Sequence, residues 1–183
     1  MDRKTLWKLL RHYRVPQKFT DIIRNSYEGM TSREIHGGER SEAFNIHTGV
    51  RQGCLLSPFL FLLTINWIMK ASTAQKRNKI QWTLWKQLDD LNFADDLTLL
   101  SHTQQQMQEK TNNIQENSTC IGLNIHRGKS KILKIDATSS APITLEDRSL
   151  EEVGNFTYLG NNVDMHGGTD ADMKIRICKA RTA

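Results

Sequence analysis

The sequence is poor in cysteine. Its 183 residues hold three, Cys54, Cys120 and Cys178. The number is odd and the spacing wide, so neither a disulfide framework nor a thiol zinc site is encoded, which suits an intracellular chain. A long apolar run is also lacking. The richest stretch, Cys54 to Met69, contains Ser57, Thr64 and Asn66 and reads as a buried helix, so no membrane span is expected. The amino terminus, Met1-Asp2-Arg3-Lys4-Thr5-Leu6, lacks the apolar core of a signal peptide. Basic residues form no long block, and no internal repeat or second domain is visible. What remains is ordinary for one domain with a real core: 38% of residues are apolar. Lys and Arg number 25 against 20 Asp and Glu, a net charge of +5. That excess is compatible with nucleic-acid binding, and equally with a uniformly solvated surface.

Lys4 to Tyr13 has apolar residues at helical spacing, Leu6, Leu9, Leu10 and Tyr13, widened by Trp7. Val15-Pro16 breaks that helix. A second is expected from Gln17 to Tyr27, with Phe19, Ile22, Ile23 and Tyr27 inward and Gly29 as its cap. Ser32 to His36 and Ala43 to His47 read as strands around the turn Gly37–Arg40. Thr48 to Cys54 is a loop with two glycines, and Ser57-Pro58 starts a helix to about Lys70, Ser57 as its cap. The buried side expected there is Leu60, Phe61, Leu63, Thr64, Trp67 and Ile68. A glycine-rich loop entering a helix suits anions, but the Gly-Lys-Ser/Thr ending of a P-loop is missing. Thr103 to Cys120 gives a thin helix face of Met107, Thr111, Ile114 and Ser118. Further strands are expected at Lys131–Ile135, Ile143–Leu145 and Phe156–Leu159, then a basic helix from Met173.

One stretch stands apart. In Leu88 to Ser101 two apolar-rich runs flank Asp95-Asp96, and Leu97-Thr98-Leu99 alternates with the period of a strand. The pattern is a β-hairpin with two carboxylates at its tip. Adjacent carboxylates repel unless water or cations neutralise them, and oxygen-only donors suit Mg²⁺. Taken alone, the pair is far better explained as a solvated acidic turn than as a metal site.

Four motifs occur in order: Gly49-Val-Arg-Gln-Gly-Cys-Leu-Leu-Ser-Pro-Phe-Leu-Phe61, Phe93-Ala-Asp-Asp96, Gly122-Leu-Asn-Ile125 with Lys129, and Phe156-Thr-Tyr-Leu-Gly160. Together they resemble the reverse transcriptase of non-long-terminal-repeat retrotransposons, across nearly the whole chain. The resemblance implies an α/β (α+β) fold, a polymerase palm with an antiparallel sheet and packed helices. Palm motifs would occupy about residues 45–160, and residues 161–183 would begin the thumb. It implies RNA-directed DNA synthesis with two Mg²⁺ ions, an RNA template, a DNA primer and deoxynucleotide triphosphates. Asp95 matches the principal metal ligand and Asp96 its supporting neighbour, with Phe93 and Ala94 near the primer end. Arg51, Gln52 and Gly53 match the loop beside nucleotide and template. Lys129 matches a basic residue that would neutralise or protonate the leaving pyrophosphate, and Tyr158, Leu159 and Gly160 match the primer grip. Surface lysines and strand tyrosines are common, so a purely structural role stays open for Lys129 and Tyr158.

The family's first catalytic aspartate has no counterpart here; its motif would lie upstream of Met1, and Asp2 is not assigned to it. The expectation is a central palm piece, without fingers and inactive by itself, with an unpaired sheet edge that lowers stability. Asn92 and His126 also depart from the family pattern. The alternative is a truncated, catalytically inactive relic with at most nucleic-acid binding. An unrelated RNA-binding domain is disfavoured, because the strands lack paired stacking aromatics. Work in the nucleus or the cytoplasm is equally compatible with the sequence, and the oligomeric state is left open.

Overall fold

The carboxylate of Asp2 begins the fold. It accepts hydrogen bonds from the Thr5 backbone N–H at 2.8 Å and the Thr5 hydroxyl at 2.9 Å, capping α1 (Arg3–His12). The cap explains why α1 starts one residue earlier than its apolar spacing suggests; Arg14, at φ of +57°, ends it one residue earlier too. The computed structural model describes residues 1–73, 80–81, 87–88, 90–94, 96–135, 141–165 and 170–182, and at 80, 81, 87, 88, 92, 93, 170, 171, 179 and 182 the backbone alone.

Leu6, Leu9 and Leu10 of α1 are buried, as the periodicity predicts. α2 (Gln17–Tyr27) has the bounds expected from Pro16 and from Gly29, whose φ is +64°. Its inward face is a correction. Phe19 and Ile22 are 57% and 55% exposed, while Thr20 and Tyr27 are buried and Ile23 is half-buried. Apolar residues on α2 cover more than one face, and the edge-on contact of Tyr27 with Trp7, ring centroids 6.0 Å apart, turns the Thr20–Ile23–Tyr27 side towards α1.

β1 (Thr31–Ser32), β2 (Ile35–His36), β3 (Glu39–Arg40) and β4 (Phe44–Asn45) form one broken hairpin: β1 pairs with β4 and β2 with β3. The turn is narrower than expected, Gly37-Gly38 alone, with φ of +60° and +86°. Next comes α3 (Ser57–Thr73), a turn longer than expected. Ser57 is its first residue, not the residue before it. Ile65 and Met69 are buried beside Leu60, Thr64 and Ile68, whereas Phe61, Leu63 and Trp67 are only partly covered. α3 is apolar on most sides because it packs against α1 on one side and, on another, α4 (Gln104–Cys120). Thr103 caps α4 by accepting from the Gln106 N–H at 3.2 Å. Thr111, Ile114 and Ser118 are buried as expected; so, unexpectedly, is Lys110, whose ammonium donates to the Leu100 carbonyl at 2.7 Å. No described helix is long and apolar enough to cross a membrane.

The other strands are β5 (Ile80–Gln81), β6 (Gln87–Leu88), β7 (Asp90–Phe93), β8 (Asp96–Leu99), β9 (Lys131–Ile132), β10 (Thr144–Leu145), β11 (Arg148–Ser149), β12 (Glu151–Glu152), β13 (Asn155–Tyr158) and β14 (Asn161–Asp164). The antiparallel sheet implied by the resemblance takes the form, among the described residues, of seven two-stranded ladders. Six are antiparallel and one, β9 with β12, is parallel. β5 and β6 escape the sequence reading because two residues show no period, and β14 because three of its four residues are polar. β9 is shorter than the alternation of Lys131–Ile135 suggests, and Lys134 instead pairs with Glu152 at 2.8 Å. The final helix, α5 (Asp170–Thr182), packs on β14 and starts before Met173.

Met1 joins the two parts of the core. One cluster holds Leu9, Ile65, Ile68, Met69, Ile114 and Ile121; the other holds Leu6, Leu10, Tyr27 and Leu60; the Met1 side chain packs on both. Its amine donates to the Gly122 carbonyl at 2.6 Å, and the Asp2 N–H to the Ile121 carbonyl at 2.7 Å. The Met1 carbonyl accepts from the Gly49 N–H at 2.9 Å. The glycine loop and the end of α4 are thus tied to one crossing segment.

Candidate active site

The tip of the β7–β8 hairpin is a two-residue connection. Phe93 pairs with Asp96, leaving Ala94 and Asp95 between the strands. Ala94 has φ of +55°, the left-handed conformation that a tight hairpin matching strand twist requires. For a residue with a Cβ it costs about 1–2 kcal/mol. Leu97 and Leu99 hold the strain: both pack on the first core cluster. Slipping the register by one residue would turn them to solvent, so the hydrophobic face fixes where the tip falls. Asp96 opens β8 on the opposite face from those leucines, exposed. Its carboxylate has no hydrogen bond or ion pair among the described residues, leaving hard oxygen donors free for a cation. Asp95 lies outside the described residues. Among those described, no three His, Cys, Asp or Glu side chains gather as a metal set.

The Arg51–Gly53 loop is built differently. Gly49 and Gly53, both at φ of +78°, turn the chain. Val50 and Leu56 seat its ends on the second core cluster. Arg51 is held through its backbone. Its N–H donates to the Tyr27 hydroxyl at 3.2 Å, its carbonyl accepts from the Ser57 hydroxyl at 2.5 Å, and the two hydroxyls lie 3.2 Å apart. Each hydroxyl has one proton. The arrangement that uses every contact is therefore a ring: Arg51 N–H to Tyr27, Tyr27 to Ser57, Ser57 to Arg51 C=O. Tyr27 and Ser57 are buried, so the ring is sheltered from water. Arg3 braces it from behind, donating to the Tyr27 carbonyl at 3.0 Å and the Gly49 carbonyl at 3.3 Å, with its guanidinium 5.0 Å from the Tyr27 ring centre. Gln52 and Gly53 stay exposed at the crest.

Cys54 follows the loop. The Leu56 backbone N–H, ahead of the Ser57 N–H and the Arg51 charge, pulls its thiol below the usual range against a smaller opposing effect of burial.

The other site candidates sit apart. Lys129 is exposed on a single 3₁₀ turn, Arg127–Lys129, and its side chain has no hydrogen bond or ion pair among the described residues. Tyr158 ends β13, and Leu159 and Gly160, at φ of +50° and +83°, form the turn into β14. That hairpin rests on α5: the Asn162 N–H donates to Asp172 Oδ1 at 2.8 Å, and Asp172 Oδ2 pairs with Arg176 Nε at 2.8 Å. So α3 and its neighbours carry both the acidic hairpin and the glycine loop, while Lys129 and Tyr158 belong to separate local units. Sequence reasoning missed Arg3, Tyr27 and Ser57 as supports of the loop. Tyr27 looked like core and Ser57 like a cap; the only signal was two polar-tipped residues on inward faces.

A family model described as reverse transcriptase (RNA-dependent DNA polymerase) matches residues 1–163. The chain belongs to the reverse transcriptase family. Over 178 residues it is 26% identical to the retrovirus-related Pol polyprotein from type-2 retrotransposable element R2DM of Drosophila melanogaster. That alignment takes in 91% of this chain and 17% of the relative, so the chain spans a small part of the Pol polyprotein it matches. Both findings agree with the order of motifs in the sequence.

Proposed function

We infer that the chain is a palm segment of an RNA-directed DNA polymerase from a retrotransposon of the non-long-terminal-repeat kind. The observation that carries the reading is the exposed Asp96 carboxylate, without a partner among the described residues, on a register-locked hairpin inside a family match over residues 1–163. Asp95 and Asp96 would hold the divalent cation, with Mg²⁺ preferred by their hard oxygens, and its chemistry when bound is to activate the primer 3′-hydroxyl and steady the leaving oxygen. The Arg51–Gly53 loop, stiffened by the Tyr27–Ser57 hydroxyls, would give the templating base and incoming nucleotide a fixed backbone to rest on, and Gly53 lets a flat base come close. Lys129 would offset pyrophosphate charge or donate a proton, and Tyr158, Leu159 and Gly160 would steady the primer. The partners are an RNA template, a DNA primer and deoxynucleotide triphosphates, met in the nucleus or cytoplasm.

Since the chain covers 17% of its relative, the test belongs in a polymerase of the relative's length that contains this segment. In primer extension on an RNA template, Asp95→Asn should reduce synthesis to background, and Asp96→Asn should cut it about 100-fold or more. Full synthesis by Asp95→Asn would overturn the metal assignment.

A further inference from the structure

A groove of about 360 Å³ lies behind the glycine loop, between α1, the end of α2 and β4. That volume is at the small end of the range for ligand sites, about 300–1,000 Å³. Trp7 and Tyr27 line it with their rings set edge to face; Tyr27 is buried under the Arg3 guanidinium, so the half-buried Trp7 is the aromatic surface the groove offers. Arg3 lines it too, half-buried and with no carboxylate partner among the described residues. The end of α2 meets part of its charge through the Tyr27 carbonyl, but of the guanidinium's five N–H donors two reach oxygen and a third the Met30 sulfur at 4.0 Å among the described residues. Glu28 is the one acid in the lining, and it is already paired with Arg24 at 3.1 Å. The third wall presents the side chains of Asn45 and His47, exposed and without hydrogen bonds among the described residues. The groove thus combines an unneutralised cation, an aromatic surface and free amide and imidazole groups.

We propose that this groove binds one nucleotide of a single-stranded nucleic acid, its base against Trp7 and its phosphate towards Arg3. The chemistry is that of single-strand binding: stacking that tolerates any base, plus a cation for the backbone. An acidic peptide would use the cation but leave the half-buried Trp7 ring idle. The groove also adjoins the loop. His47 is in its wall, and Arg3 bonds the Gly49 carbonyl. A template strand touching Arg51–Gly53 therefore reaches the groove without leaving the surface. This deepens the polymerase reading and rests on it for the identity of the strand.

The test is fluorescence anisotropy of a labelled oligouridine with the 183-residue chain at low salt. Asn45→Asp and His47→Glu place carboxylates at the groove mouth on exposed side chains, and each should weaken binding about tenfold. Glu28→Gln frees Arg24 and should tighten binding severalfold, an effect that unfolding cannot imitate. Trp7→Leu should weaken it about tenfold by removing the stacking face. Unchanged affinity in Glu28→Gln, Asn45→Asp and His47→Glu overturns the proposal. So does an equal loss from the distant Arg148→Glu, which would mark diffuse charge attraction, or equally tight groove binding of labelled polyglutamate. The polymerase reading fails separately: synthesis in the longer protein without any groove effect removes only the groove, and groove binding without synthesis removes only the activity.

Discussion

The hydroxyls of Tyr27 and Ser57 meet 3.2 Å apart and between them satisfy both backbone polar groups of Arg51. Thirty residues of chain separate the two. Their contact carries the position of the glycine loop, because Gln52 and Gly53 show no comparable side-chain contact among the described residues.

Removing either hydroxyl opens the ring. Tyr27→Phe leaves the Arg51 N–H without its acceptor among the described residues and should cost about 1–3 kcal/mol, the penalty for an unsatisfied sheltered group; Ser57→Ala leaves the carbonyl only the longer bond from the Cys54 N–H at 3.3 Å and should cost less. Because both belong to one network, the double variant should lose less than the two single losses added, by about 0.5 kcal/mol or more. Urea unfolding of the four proteins measures this. Strict additivity would mean that the ring does not act as a unit. Amide exchange at Arg51 should quicken in either variant.

Asp2→Ala removes the α1 cap and should cost about 0.5–2 kcal/mol. The Thr5 backbone N–H, then its hydroxyl, holds the Asp2 carboxyl below the ordinary value of 3.8. A carboxyl lowered on folding contributes stability above the unfolded value and loses it as pH falls through the folded one. The wild type should therefore lose its advantage over Asp2→Ala below about pH 4, gradually as protons bind. A stability difference that stays constant from pH 7 to pH 2 would exclude this role for the carboxylate.

The fold was legible where punctuation and period agree. Pro16 and Gly29 bracket α2, and its bounds are as expected. The hairpin of Phe93 and Asp96 was legible from the Leu97–Thr98–Leu99 alternation, which also sets its register. Faces were less legible. Phe19 and Ile22 look like core, yet the partner of α2 is chosen by Trp7 against Tyr27, a contact no helical wheel contains. Lys110 is buried because the Leu100 carbonyl waits for its ammonium, a match made only when α4 docks. The acidic pair and Arg51–Gly53 came from motif order, but Arg3, Tyr27 and Ser57 did not, since their roles depend on groups distant in sequence. Short polar strands such as β14 have no apolar period to announce them.

Cys54 should form its thiolate at a lower pH in the folded chain than in the unfolded one. The Leu56 N–H lowers its pKa, so at a given pH near neutrality folding raises its thiolate fraction. Alkylation with iodoacetamide, followed by peptide mass mapping across pH 6 to 9, should put the half-maximal rate for Cys54 at a lower pH in the native chain than in urea. The same midpoint in both states would remove the effect of the Leu56 N–H.

Ala94→Gly and Ala94→Val probe the hairpin tip. Glycine accepts φ of +55° without a Cβ clash, so Ala94→Gly should leave stability unchanged or raise it by up to about 1 kcal/mol after its greater chain entropy is counted. A β-branched residue there should cost about 1–2 kcal/mol beyond alanine. Thermal unfolding midpoints in the order glycine, alanine, valine from high to low would support the left-handed tip. The reverse order would mean that Ala94 is not left-handed in solution.

Gly122 and Gly160 separate strain from collision. Both have left-handed φ, +72° and +83°. At Gly160 an added Cβ meets nothing within 4 Å; at Gly122 it would lie 3.2 Å from the Asp2 backbone nitrogen. That nitrogen is the donor that binds the Ile121 carbonyl, in the segment where Met1 joins both core clusters. Gly160→Ala should thus cost only the conformational penalty, about 1–2 kcal/mol. Gly122→Ala should cost more, because the crossing segment must shift and its hydrogen bond at 2.7 Å must lengthen. Gly122→Ala should also speed amide exchange at Gly49, which is bound to the Met1 carbonyl on the far side of that segment. Equal losses from the two substitutions, with Gly49 exchange unchanged, would mean that Met1 and Asp2 do not transmit the position of α4 to the glycine loop.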